Sequence, residues 1–266
     1  MRSKNTAVLK FGGSVIHSQK DFKTIASEIQ RFLSEGYQVI VVVSAYHGVT
    51  EKLIASASEI STDPSSGSYA ELVSSGEFES GLDLTKHLTQ SGVNASFRTP
   101  AEFDFIATGT RESAAPLSID SSKISAAFDQ YSVVVMPGFS AIDQRGDRIL
   151  LGRGGSDISA VVIAEALGLD SVRLLKDVDG IYDIDPNKFS HAERFDYVDY
   201  ELACKIGSVL IQPEAIQFAA TKNISIDIAA IGNSFASRIG PKTSSPISDH
   251  MPMEYNSENK DQPLSL

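Results

Sequence analysis

A chain of 266 residues, 42% of them hydrophobic, can bury a sizeable core and suits one large α/β domain or two small ones. The formal net charge of −11 argues against a nucleic-acid backbone or an anionic membrane as partner, so a polyanionic small ligand would have to be met by a few placed cations. The single cysteine, Cys204, excludes an internal disulfide and suits a reducing, cytoplasmic compartment, while the short apolar run near the N-terminus does not reach the length of a signal-peptide core.

The first predicted element is a strand over residues 6–11 (TAVLKF), followed by an amphipathic helix over 22–34 and a second strand over 37–44 (YQVIVVVS). Helices are expected over 50–60 and 69–91, separated by an exposed polar loop, STDPSSGS, at 61–68. A short helix over 124–130 leads into a strand over 131–137, a hairpin turn at 143–148 and a helix over 157–167 that stops at Gly168. The strand over 172–176, the helix over 213–222 and the strand over 224–231 complete the series. Strand–helix–strand alternation implies an α/β fold with a mainly parallel sheet and helices on both faces. From Gly240 onward the composition is too polar to pack, which makes residues 1–239 the expected domain and 240–266 a polar tail.

Four segments carry chemistry. In LGRGGSD, Gly152, Gly154 and Gly155 let backbone amides crowd towards a ligand, and Ser156 or Asp157 is placed to cap the helix that follows. A glycine turn feeding a helix N-terminus is an anion site, and Arg153 adds a bidentate donor for carboxylate or phosphate. The plain alternative is a tight loop with an ordinary cap; neither a Walker P-loop nor a dinucleotide fingerprint is present. VLKFGGSV puts Lys10 at the end of the first strand before Gly12, Gly13 and Ser14, where open α/β sheets bind ligands; the alternative is a strand-end surface lysine. SAYHGVT (44–50) and LLKDVDGIYDIDP (174–186) follow two more strands, although Asp177, Asp179 and Asp185 also suit plain turns.

The ordered set KFGGSV, SAYHGVT, SSGEF (74–78), GRGGSDISA and KDVDGIYDIDP resembles the amino-acid kinase family, and within it the aspartate kinase branch, from about Ala7 to Arg238. The resemblance implies that family's three-layer fold and transfer of the ATP γ-phosphoryl group to the side-chain carboxylate of L-aspartate. It implies ATP with Mg2+ as nucleotide. A carboxylate nucleophile is ionised at neutral pH and needs no general base, so the five histidines stay structural by default; the difficulty is bringing two anions together.

By the same resemblance Lys10 stabilises the transferring phosphoryl group, and Asp157 orients Lys10 or helps hold the magnesium-bound nucleotide. Glu77 and Arg153 take the substrate's α-ammonium and α-carboxylate, with Thr50 and Ser156 as hydroxyl partners. Lys10, Gly12, Gly13, Ser14, Ser44, Asp177, Tyr182 and Lys188 form the nucleotide side, and no residue is assigned as a metal ligand.

The match departs on that nucleotide side. Lys176 stands where the family pattern has threonine, Asn187 where it has arginine, and Val209 and Gln212 where it has lysine and histidine. Lys188 or Lys176 would then replace a lost phosphate contact. Aspartate kinases commonly continue into small regulatory domains, whereas this chain carries only the polar tail and resembles an isolated catalytic domain, acting alone, as a homo-oligomer or with a separate partner chain. Two alternatives stay open: another acyl-phosphate-forming amino-acid kinase, or a non-catalytic aspartate-binding subunit.

Overall fold

A computed structural model of the chain describes residues 5–60, 67–184, 188–189, 191–206 and 210–242. Strand β1 (Thr6–Phe11) leads through a 3₁₀ turn to helix α1 (Phe22–Ser34) and strand β2 (Gln38–Val43). Helices α2 (Val49–Ile60) and α3 (Gly67–Gln90) follow, then strands β3 (Ala95–Phe97), β4 (Ile106–Gly109) and β5 (Ala114–Ser118), helix α4 (Ser121–Phe128) and strand β6 (Val133–Pro137). A hairpin of β7 (Ser140–Ile142) and β8 (Arg148–Leu150) precedes helix α5 (Gly155–Ala166), strand β9 (Ser171–Lys176) and the short pair β10 (Ile181–Tyr182) and β11 (Arg194–Phe195). Strand β12 (Tyr197–Asp199), helices α6 (Tyr200–Ile206) and α7 (Pro213–Lys222), and strands β13 (Ser225–Ala230) and β14 (Ser237–Gly240) close the described chain.

The main sheet has eight strands in the order β12-β14-β13-β9-β1-β2-β6-β3. The run from β13 to β3 is parallel throughout; β14 pairs antiparallel with β13, which makes the sheet mixed at one edge. A second sheet, β5-β4-β7-β8, packs into the same core. The near-continuous apolar strands are the mark of a sheet covered on both sides. Leu9, Phe11, Val39, Val41 and Val43 point to α1 and α3, while Val8, Ile40, Val42 and Met136 point to the side of α5 and α7. Helix α5 is buried along Gly155–Ala164, which explains why ISAVVIA is apolar on every side rather than striped.

Several expectations need correction. Ser156 and Asp157 do not cap α5: Gly154, at φ 70°, is its N-cap, and the two polar residues lie inside its first turn. Gly67 and Ser68 belong to α3 rather than to the expected loop, whose remainder, 61–66, lies outside the described residues. Asp185, Asn187, Val209 and the tail from residue 243 also lie outside them. The short strands β3, β4, β5, β10, β11, β12 and β14 have no counterpart among the predicted elements. All have two to five residues, too few to display a period.

Candidate active site

The parallel strands β1, β2 and β9 end at one edge of the sheet, and the turns that follow them converge there with the first turn of α5. Lys10 is the next-to-last residue of β1 and points to the α5 side, the same side as Val8. Its Nζ lies 2.5 Å from Asp157 Oδ1. The two form a close ion pair in the interior. Lys176, the last residue of β9, reaches the other oxygen of the same carboxylate and donates to Asp157 Oδ2 at 3.4 Å.

Fractional exposures of 4% for Lys10, 4% for Asp157, 8% for Lys176 and 2% for Glu77 place four ionisable groups in the interior. Burial lowers the Lys10 ammonium to about 8, with Lys176 pushing the same way and Asp157 opposing. Burial pushes the Asp157 carboxyl up, but the Lys10 and Lys176 ammonium groups more than offset it and hold it below the ordinary carboxylate range.

Glu77 comes from the middle of α3, which is packed close under the loop after β2. Ser80 Oγ donates to the Ser44 carbonyl at 2.7 Å. Gly76 makes the approach possible, because a Cβ there would sit 2.8 Å from Ala45 Cβ and 3.0 Å from Val49 Cγ1. In that crevice Glu77 Oε1 accepts a 3.4 Å hydrogen bond from Thr50 Oγ1, and Oε2 is buried without a partner. Burial raises the Glu77 carboxyl to about 7, against backbone hydrogen bonds at Glu77 and Ala45, the Thr50 hydroxyl and the charge of Lys10. The sequence offered little sign of this: Glu77 is one of several glutamates on a long helix.

The remaining predicted positions divide. Gly12 sits against the lysines, and Gly13 and Ser14 form the 3₁₀ turn after β1. Ser44, half-buried, follows β2, and Ser156 is buried in the first turn of α5. Arg153 is exposed on the turn before α5 and carries no ion pair among the described residues. Gln212 lies next to that turn, where a Cβ on Gly154 would be 2.9 Å from Gln212 Cβ. Asp177 and Lys188 are exposed on the segment after β9, and the Tyr182 hydroxyl donates to Asp179 at 2.7 Å.

Lys176 was legible only as a departure from a pattern. The parallel between VLK and LLK, two lysines closing apolar strands, was the available signal for its place beside Lys10.

Among the described residues no three His, Cys, Asp or Glu side chains come together as a metal site. Asp157, the buried carboxylate in contact with Lys10, is shared by two ammonium groups. These residues do not fit a resident magnesium ion. No helix among the described residues is long and apolar enough to cross a membrane.

The pattern of the amino acid kinase family matches residues 5–230. The chain belongs to the amino acid kinase family. Its relatives in that family include the aspartate kinase of Pseudomonas fluorescens (strain SBW25), 33% identical over 252 residues that cover 93% of this chain and 60% of the relative. The chain spans little more than half the length of the curated relatives it matches. Among solved structures it is similar to aspartate kinase from Synechocystis, with a TM-score of 0.75, 27% identity, and coverage of 89% of this chain and 40% of that one. Escherichia coli aspartokinase III, solved in complex with aspartate and ADP, shares the fold at a TM-score of 0.77 and 22% identity over 90% of this chain and 65% of that one.

Proposed function

We propose that the chain transfers the γ-phosphoryl group of ATP to the side-chain carboxylate of L-aspartate, giving 4-phospho-L-aspartate and ADP. The observation that carries this reading is the buried Lys10–Asp157 pair at a strand end beside Gly12, with the buried Glu77 close enough to Lys10 for their charges to interact. Relatives named as aspartate kinases and aspartokinases support the choice of substrate.

In this reading a carboxylate oxygen of aspartate bonds to the γ-phosphorus while the bond to the bridging oxygen of ADP breaks and ADP keeps the electron pair. No proton moves, so no general base is needed. Lys10 neutralises charge on the transferring group, and Asp157 holds its ammonium in place. Glu77 receives the substrate ammonium at its unpartnered Oε2, Arg153 receives the α-carboxylate, and the hydroxyls of Thr50 and Ser156 complete the amino-acid side. Gly12, Gly13, Ser14, Ser44, Asp177, Tyr182 and Lys188 form the nucleotide side, with magnesium arriving on ATP as part of that substrate. The chain functions in the cytoplasm.

Incubation with Mg-ATP, L-aspartate and hydroxylamine tests the reading: ADP and the aspartyl hydroxamate are expected together. Turnover of glutamate or N-acetylglutamate, with none of aspartate, overturns it.

A further inference from the structure

Lys176 enters the site from a different strand than Lys10. Lys10 pairs with Leu174 across β1 and β9, so Lys176 lies two residues further along, back on the same face of the sheet. The first glycine turn closes over both side chains: a Cβ on Gly12 would be 3.3 Å from Lys10 Nζ and 3.9 Å from Lys176 Nζ. Two ammonium groups therefore share the single Asp157 carboxylate, at 2.5 and 3.4 Å, in the interior of the protein. Asp157 divides one negative charge between the two ammonium groups, and Glu77, the other buried carboxyl whose charge reaches Lys10, keeps its proton up to about pH 7, so at and below that pH the cluster carries positive charge that burial makes costly. An anion entering the cluster from solution removes that cost.

Resting on phosphoryl transfer as the reaction, we propose that Lys176 is a second phosphoryl-binding cation, which clamps the γ-phosphoryl group together with Lys10 while Asp157 sets the spacing of the two ammonium groups. No proton moves in the transfer, and both lysines act by neutralising charge. The contact is made to the group that leaves the nucleotide, so ATP and ADP feel it unequally.

The test compares Lys176→Met and Lys176→Thr with the wild-type chain by calorimetry, using Mg-ADP and the non-hydrolysable Mg-AMP-PNP, alongside ADP release with L-aspartate. Affinity for AMP-PNP is expected to fall about tenfold or more while that for ADP holds. Turnover is expected to fall about a hundredfold, with partial recovery in Lys176→Arg. Should neither neutral variant fold, the wild-type chain is labelled with [13Cε]lysine and the Lys176 signal identified by its absence from Lys176→Arg. That signal should move with AMP-PNP and not with ADP. Unchanged affinities and turnover in the neutral variants, an equal loss of both nucleotides, or a signal that ignores AMP-PNP overturns the clamp and leaves Lys176 as a counter-ion of Asp157. Selective loss of AMP-PNP affinity in a chain whose wild type forms no hydroxamate keeps the clamp and removes the aspartate reading. Hydroxamate formed at the wild-type rate by both neutral variants does the reverse.

Discussion

Lys10 Nζ stands 2.5 Å from Asp157 Oδ1, tying the end of β1 to the first turn of α5 with both groups buried. The lysine is thus placed by a helix as well as by its strand, and its proton is held less tightly than an ordinary lysine's because burial outweighs the carboxylate. Charge neutralisation requires the protonated form. The value of kcat/KM is expected to fall as pH rises through about 8, and the alkaline limb of kcat to lie higher, since a bound phosphoryl anion favours the ammonium. Rate profiles from pH 6 to pH 10 for the wild type check this. Lys10→Met should lose about 10²–10³ in turnover while aspartate still binds.

Glu77 has the opposite pH dependence. Binding of the substrate ammonium requires its carboxylate, whose proton is lost near pH 7 in the free protein. The dissociation constant for L-aspartate is expected to rise towards about tenfold per unit as pH falls below that value. Calorimetry should also record proton release on binding near pH 6.5. In Glu77→Gln aspartate binds weakly at every pH and the dependence disappears.

The same residue contributes to stability with a definite sign. Its folded value, about 7, lies above the ordinary 4.5, so the native state binds the proton more tightly than the unfolded chain. Below about pH 4.5 both states are protonated and Glu77 costs nothing; the cost of burying the anion builds as pH rises to 7 and is complete above it. Glu77→Gln is expected to be more stable than the wild type at pH 8, by on the order of 1–3 kcal/mol, with the gain fading towards pH 4.5. Urea titrations at both ends of that range measure it.

Arg153 is exposed and without an ion pair among the described residues, so its removal should leave the fold intact. Arg153→Ala is expected to raise the KM for aspartate by the loss of one charge-assisted contact, about 1.5–3 kcal/mol, with the melting temperature unchanged. Arg153→Lys should recover only part, because a point charge cannot reproduce the bidentate fork. Steady-state kinetics with aspartate as the varied substrate decides the matter.

Gly76 links packing to binding. In Gly76→Ala the new methyl meets Ala45 Cβ at 2.8 Å and Val49 Cγ1 at 3.0 Å, so α3 or the loop after β2 must move. Overpacking of this kind costs about 1–3 kcal/mol, and the shift carries Glu77 away from Thr50. A lowered melting temperature together with a raised KM for aspartate is expected, with kcat reduced less than by Lys10→Met.

Much of this architecture could be read before any coordinates. The helices at Phe22–Ser34 and Pro213–Lys222 and the strand at Thr6–Phe11 fall at their predicted bounds, because a period of 3.6 or a solid β-branched run is a property of neighbouring residues. Short strands such as β10 and β11 escaped because two residues have no period. Gly154 was missed as the α5 cap because capping depends on φ at one residue, and Ser156 and Asp157 are themselves common caps.

The residue types of the site were also in the sequence: Lys10 and Asp157 stand out through the glycine turns beside them, since backbone curvature is a local requirement. Their charges were not. A solvated Glu77 and a buried one have the same neighbours in the chain, and only the packing of α3 under the Ser44–Thr50 loop strips its water and moves its proton towards neutral pH. Lys176 likewise belongs to the pair Lys10–Asp157 solely because β9 lies beside β1 in a register that returns both lysines to one face. Sequence determines which groups are available; desolvation and the distance between charges are set across the fold, and those decide what the groups can do.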